Sequence, residues 1–140
     1  MLSRFLAPRT EAAYALLRVV SGLLFAFHGA QKLFGLLSDF RAEPGTQLWI
    51  GAVIELVAGL AIALGAFTPW AAFLASGTMA VAYTQFHWKL AFDASFFPAV
   101  NKGEPALLFA LLFLFVACRG GGPFSVDGRR GDSRADAGQG

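Results

Sequence analysis

The sequence predicts an all-α polytopic membrane protein, a four-helix bundle with both chain ends on the cytoplasmic side (N-in/C-in). Three observations carry that prediction. Of 140 residues, 56% are hydrophobic and only 14% charged, and the mean hydropathy is +0.59. A soluble domain of this length could not hide so much apolar surface. The charges are segregated into the first 11 residues, two loops and the stretch after Cys118. Between them lie four apolar segments, expected as spans over residues 14–34, 48–67, 69–88 and 101–118 of a single transmembrane domain, 14–127.

Residues 1–13 form a cytoplasmic lead with Arg4, Arg9 and Glu11, and Pro8 with Thr10 suits a helix start nearby. Arg4 and Arg9 ahead of an apolar run also resemble the start of a signal peptide. Arg18 interrupts that run and three more hydrophobic segments follow, so the first segment is expected to be retained.

That segment carries Arg18, His28, Gln31 and Lys32 inside otherwise apolar sequence. Ionisable groups are costly in a bilayer, which makes each a candidate for function. On a helix, Arg18, Ser21, Gly22, Phe25, His28, Gly29 and Lys32 recur at spacings of three and four and share a face. Val19, Leu23, Leu24, Ala26 and Phe27 are then left for lipid. Residues 35–47, with Gly35, Pro44 and Gly45 among charges, read as an extramembrane connection.

The second span is interrupted only by Glu55, and Gly51, Glu55 and Gly59 recur every four residues. Small residues at that interval let helices approach closely, so Glu55 is expected to face a partner helix with glycines above and below it. Thr68 and Pro69 suit an N-cap and first helical residue of a tight hairpin into the third span. There Ser76, Ala80, Tyr83, Thr84 and His87 share a stripe. The following loop holds Phe92, Phe96 and Phe97, residues that favour the headgroup level. Asn101 with Glu104 resembles a capping box opening the fourth span, with Pro105 in its first turn. Gly120, Gly121, Gly122 and Pro123 stop that span, and the cytoplasmic tail, 128–140, is expected to be disordered.

Four spans place both termini and the Thr68–Pro69 turn on one side. Arg4, Arg9, Arg119, Arg129, Arg130 and Arg134 lie there, against Lys32, Arg41, Lys89 and Lys102 opposite, a bias that puts the termini inside. Equal rise in antiparallel spans sets Glu55 level with about residue 27, beside His28. His28, Glu55, Tyr83, Gln85 and His87 are thus expected to converge in the outward half, with Lys32 and Lys89 at the rim. A structural reading stands beside this one. Glu55 with His28, or with Lys32, could simply hold two helices in register. Arg18 and Lys32, near helix ends, and Lys89 could instead snorkel to the interface.

Several chemistries are set aside by residue inventory. Net charge is only +2 and no basic stripe with interleaved aromatics exists, so nucleic acid is not an expected partner. The lone Cys118 provides no dithiol, zinc or iron–sulfur site, and no other metal site is expected. Flavin and nucleotide motifs are also missing from the sequence.

Taken in order, these residues resemble the DoxX family of membrane proteins. The resemblance runs through Leu17-Arg18, Gly22, Phe25-Ala26-Phe27-His28-Gly29 and Lys32-Leu33-Phe34-Gly35, then Ile54-Glu55-Leu56-Val57-Ala58-Gly59-Leu60 and Leu64-Gly65. It continues through Met79-Ala80-Val81-Ala82-Tyr83, His87, Asn101-Lys102-Gly103-Glu104 and Gly122-Pro123-Phe124-Ser125-Val126-Asp127. The resemblance implies a four-helix protein of the bacterial inner (cytoplasmic) membrane linked to a quinol oxidase and thiosulfate oxidation. Many members are described only as oxidoreductases. It transfers no settled catalytic set; His28, Lys32, Glu55 and Glu104 occupy the motif positions a site would use.

The function expected is that of an accessory or binding subunit of a membrane redox system, quinone- or thiol-linked, with an oxidase or other redox enzyme as partner. His28 and Glu55 are the catalytic candidates, as proton donor or acceptor and its orienting carboxylate. His28, Lys32, Glu55, Tyr83, His87 and Trp88 are the expected substrate-binding residues; the cofactor is left open, with a quinone as a candidate. A haem between His28 and His87 is a weaker redox possibility. The alternative class is a non-enzymatic scaffold or small-molecule permease.

Overall fold

The computed structural model describes residues 2–129, and among these every regular element is helical. A short helix α1, Leu2–Leu6, and a 3-10 turn, Ala7–Arg9, run on into α2, Thr10–Phe34. Gly35, at φ 69°, ends α2 in the left-handed conformation and returns its N–H to the Gln31 carbonyl. The next helix α3, Gln47–Leu64, is capped by Thr46, whose side chain accepts from the Trp49 N–H. Helix α4, Thr68–Ala82, passes directly into a π-helical turn, Tyr83–Trp88. A 3-10 turn, Ala94–Phe96, the short α5, Pro98–Asn101, and α6, Glu104–Arg119, complete the chain order.

Among the described residues, two helical runs, Leu2–Phe34 and Gln47–Leu64, are long and apolar enough to cross a membrane. α2 packs along α3, α3 along α4 and α4 along α6. The α2–α3 seam is closed by missing side chains. A Cβ on Gly22 would lie 2.6 Å from the Ala63 nitrogen, on Gly29 2.5 Å from that of Leu56, and on Gly59 2.5 Å from that of Ala26. Backbones therefore touch, as small residues permit. The α2 and α6 backbones stand apart, and aromatic rings bridge them: Tyr14 to Phe115 at 6.1 Å and Phe25 to Phe113 at 4.8 Å between centroids. The core gathers Phe25, Ile62, Ala72, Ala75, Phe113 and Val116.

Leu23, Leu24 and Phe27 are exposed, as a lipid face requires, but Ala26 is buried against Gly59 and Val19 is half-buried. Ala26 lies four residues after Gly22 and three before Gly29, so helical spacing puts it on the same face as the two glycines. Gly51 departs from expectation in the other direction. A Cβ there would meet nothing within 4 Å, so this glycine opens space where Gly59 closes it.

Neither expected helix cap forms, and only at α4 does another side chain take the place. Thr68 is the first residue of α4, after Phe67, and the cap comes from Asp127 near the C-terminus. Its carboxylate accepts from the Phe67 N–H at 2.9 Å and from the Thr68 N–H and hydroxyl at 2.8 Å. A carboxylate at a helix N-terminus meets both unpaired N–H groups and the positive dipole end. Asn101 does not cap α6 either. It ends α5, accepting from Gly103 N–H at 2.7 Å and donating to the Ser95 carbonyl at 2.8 Å, which ties the aromatic loop together. In that loop Asp93 accepts from the Ser95 N–H at 2.7 Å, and this backbone bond holds its carboxyl below the usual range.

Of the tail expected to be disordered, Gly128 and Arg129 belong to a helical turn over residues 126–129. Residues 130–140, including Arg130 and Arg134, lie outside the described residues.

Candidate functional site

Two polar clusters are buried among the helices. At the end where α2 begins and α3 finishes, Arg18 is 1% exposed. Its Nη1 donates to the Ile62 and Ala63 carbonyls at 2.5 and 2.7 Å, and its Nη2 to the Phe124 carbonyl at 2.7 Å. These carbonyls belong to the last turn of α3, which lacks intrahelical donors, and to the C-terminal segment. Arg18 therefore does not snorkel; it caps a helix that it packs against. Gly65, at φ 70°, makes room for it, since a Cβ there would sit 2.8 Å from Nη1. Around it, Tyr14 donates to the Gly120 carbonyl and Arg119 pairs with Glu11.

At the other end, Lys32 Nζ donates to Glu55 Oε1 at 2.6 Å, with side-chain exposures of 31% and 4%. Of the structural pairings weighed from sequence, this is the one formed. Lys32 thus turns inward to Glu55 and does not snorkel. The second carboxylate oxygen, Oε2, is buried without a hydrogen-bond partner. Leaving a buried acceptor unpaired costs on the order of 1–3 kcal/mol, more when it is charged. Either a bound group satisfies it or the protein tolerates that penalty for a reason.

Open space adjoins the pair on two sides. A cavity of about 380 Å³ lies between α3 and α4, bounded by Ile50, Gly51 and Ile54 on one helix and Gly77, Thr78 and Val81 on the other. A smaller one of about 170 Å³ reaches toward α2 and α6, against Phe25, His28, Pro105, Ala106 and Phe109. Lys32, Glu55, Met79, Ala82 and His87 line both. A third, apolar groove of about 740 Å³ runs between α2 and α6 along Leu16, Leu17, Val20, Leu24, Leu108 and Leu112. It shares Pro105 and Phe109 with the His28 cavity.

His28, Lys32, Glu55 and His87, from three different elements, thus border one space. His28 is exposed, its ring edge-on to Phe109 at 6.5 Å. His87 is held from behind, Nδ1 lying 3.2 Å from the Asn101 carbonyl. Its position comes from the π-helical turn, a feature that recurs at functional sites and has no signature in the apolar pattern. Tyr83 and Trp88 stand aside from both cavities. Their rings lie 6.4 Å apart and continue into Phe92 and Phe96, a surface cluster. Gln85 is exposed and accepts from Gln47 at 2.6 Å, and Lys89 is exposed in the loop. Glu104 borders the α2–α6 groove at the start of α6. Among the described residues no three His, Cys, Asp or Glu side chains group as metal ligands.

Comparison with known proteins identifies the family. The family model DoxX matches residues 13–88, a stretch that holds Arg18, His28, Lys32, Glu55 and His87. An uncharacterized protein of Haemophilus influenzae is 37% identical over 120 residues, covering 82% of this chain and 88% of the relative. No solved structure matches. Apolar helices of spanning length and a family match over more than half the chain give one conclusion: this is a membrane protein, and it belongs to the DoxX family.

Proposed function

We propose that the protein is an accessory or binding subunit of a membrane redox system, holding a quinone or a small thiol beside the Lys32–Glu55 pair. In this reading α2, α3, α4 with its π-turn, and α6 all cross the bacterial inner membrane as a four-helix bundle. The domain is 14–127, preceded by a cytoplasmic lead and followed by a cytoplasmic tail. Arg4, Arg9, Arg119 and Arg129 on the terminal side favour that orientation. α6, at 16 residues, is about 24 Å long and needs local thinning or the preceding α5 to span.

The observation that carries the reading is the carboxylate itself. Glu55 is 3% exposed, paired through one oxygen only, and set between two cavities. A purely structural ion pair has no need of adjoining space. Intramembrane ionisable groups facing cavities mark substrate or proton paths. His28 and His87 offer ring nitrogens that accept or donate a proton, Glu55 orients the bound group, and Lys32 pairs with Glu55. Tyr83 and Trp88 act at the rim, with the loop aromatics at headgroup level. A quinone-type ligand fits this lining: a ring head beside the Lys32–Glu55 pair, and an apolar tail along the leucines of the α2–α6 groove. Electron transfer is supplied by the partner enzyme.

The test is native purification from membranes, followed by identification of co-purifying polypeptides and extraction of bound lipids. A redox enzyme partner or a stoichiometric quinone supports the reading. A second reading, a small-molecule permease, is favoured by the two cavities that meet at one ion pair. Substrate flux in liposomes, with neither partner nor quinone recovered, would establish it instead.

A further inference from the structure

The polar inventory of the site is lopsided. Glu55 offers a buried, unpartnered Oε2, while its Oε1 already takes the Lys32 ammonium. A carboxylate beside an ammonium is an acceptor only. His87 adds a second acceptor. Its Nδ1 faces the Asn101 carbonyl, which cannot donate, so a neutral ring carries its hydrogen on Nδ1 and leaves Nε2 with a lone pair. The donors that line the cavities are the Lys32 ammonium, which goes to Oε1, the His28 ring, Thr78, which donates to the Leu74 carbonyl, and Gln47, which donates to Gln85; none of them is bonded to Oε2. What Oε2 lacks is a hydrogen to accept.

The way in is equally specific. Gly51 on α3 and Gly77 on α4 border the larger cavity, and a Cβ on either would meet nothing within 4 Å. Gly51 is half-buried and Gly77 exposed, so the gap between the two helices opens at the protein's flank. At about 380 Å³ the space falls within the range of small-molecule sites.

We propose that this cavity takes the reduced, hydrogen-donating member of a membrane-soluble redox couple, a quinol or a thiol, which enters between α3 and α4 past Gly51 and Gly77 and donates to Oε2 of Glu55. The proposal rests on the redox reading above and adds a direction to it. An O–H or S–H completes the carboxylate, whereas a quinone carbonyl or a disulfide sets lone pair against lone pair. A hydrogen bond to a buried charge, gained in one redox state and lost in the other, separates their affinities by about tenfold or more.

The experiment places the full-length protein in lipid nanodiscs under anaerobic conditions. Equilibrium dialysis against empty nanodiscs then measures binding of a short-tailed benzoquinol and its benzoquinone, and of octanethiol and dioctyl disulfide. One reduced probe is expected to bind at least about tenfold tighter than its oxidised form, and which one does so separates quinol from thiol. In Glu55→Gln that preference should shrink to within a few-fold. Gly51→Leu and Gly77→Leu, which build into open space and should melt as wild type does, should weaken binding of both members together. Equal or tighter binding of the oxidised member overturns this inference and leaves the redox reading standing. Absence of binding by all four probes overturns both. A preference unchanged in Glu55→Gln, or glycine variants that bind like wild type, overturns the assigned acceptor or the assigned entrance.

Discussion

Arg18 and Glu55 are both buried charges on the tightly packed α2–α3 pair, and the protein treats them in opposite ways. Arg18 meets three backbone carbonyls and lines none of the three cavities described above. Glu55 meets one ammonium, keeps an oxygen in reserve and borders space on two sides. The first arrangement spends both terminal nitrogens of the guanidinium on holding α3 and the C-terminal segment to α2, and leaves only Nε buried without a partner. The second leaves an oxygen beside open space. Burial of charge alone therefore does not identify a functional group; what matters is whether unused hydrogen-bonding capacity adjoins a cavity.

The largest effect is expected at Arg18. Arg18→Met should remove three charge-assisted bonds, leaving the Ala63 and Phe124 carbonyls without this donor and the Ile62 carbonyl with only the Gly65 N–H. Each such bond contributes roughly 1.5–3 kcal/mol, so the loss should exceed about 3 kcal/mol and show as little folded protein after detergent extraction. Arg18→Lys should rescue poorly, because a single ammonium cannot reproduce the planar fork. A folded, active Arg18→Met protein would break the contrast from its structural side.

At the other pole the comparison calls for a cycle. Lys32→Met alone should lower stability by roughly 1–3 kcal/mol, since it strands the Glu55 carboxylate. Adding Glu55→Leu should restore most of that loss, as replacing both members of a buried pair by apolar groups often does. Glu55→Gln should leave folding nearly intact while removing most of the preference for the reduced probe, whereas Glu55→Leu alone should also damage assembly. Thermal unfolding beside a binding assay separates these outcomes. Equal loss of folded protein in Glu55→Gln and Glu55→Leu would return Glu55 to the same structural class as Arg18.

The two poles were unequally legible in the sequence. A carboxylate in an apolar segment announces that it needs a partner, and helical rise set Glu55 beside His28. The structure puts it against Gly29, about one residue along. Lys32 as the partner was one of two options the spacing left open. Arg18 was visible as an anomaly but its role was not, because its partners are carbonyls, which every residue carries. The same holds for Asp127. A carboxylate 59 residues beyond the helix it caps leaves no local motif. The π-turn that sets His87, and the choice of Gly51 to open space while Gly59 closes it, depend on tertiary packing that periodicity does not encode.

Asp127→Asn tests whether the Arg18 pole extends to the C-terminal segment. Asparagine keeps one acceptor for the Phe67 and Thr68 N–H groups but loses the charge at the α4 N-terminus, for a loss of about 1 kcal/mol. Hydrogen exchange should rise at Thr68 and at Asp127, whose own N–H bonds the Gly65 carbonyl at 2.9 Å. Binding at the Glu55 pole should not change. If it did, the two ends would be coupled through α3, and the division between a holding cluster and a binding cluster would need redrawing.

The smallest effect should come from the one thiol. Cys118 is exposed near the end of α6, at the Arg18 end of the molecule and away from both cavities at Glu55. Thiol chemistry in a chain with one cysteine requires that cysteine to stand in the site or to reach a partner's. Cys118→Ser should therefore shift stability by no more than about 0.5 kcal/mol and leave the affinities for quinol and thiol probes unchanged. The outcome bears on the whole comparison. A loss of function in Cys118→Ser would place reactive chemistry at the very end assigned here to structure, and would make the thiol-linked form of the redox reading a property of this chain rather than of a bound ligand.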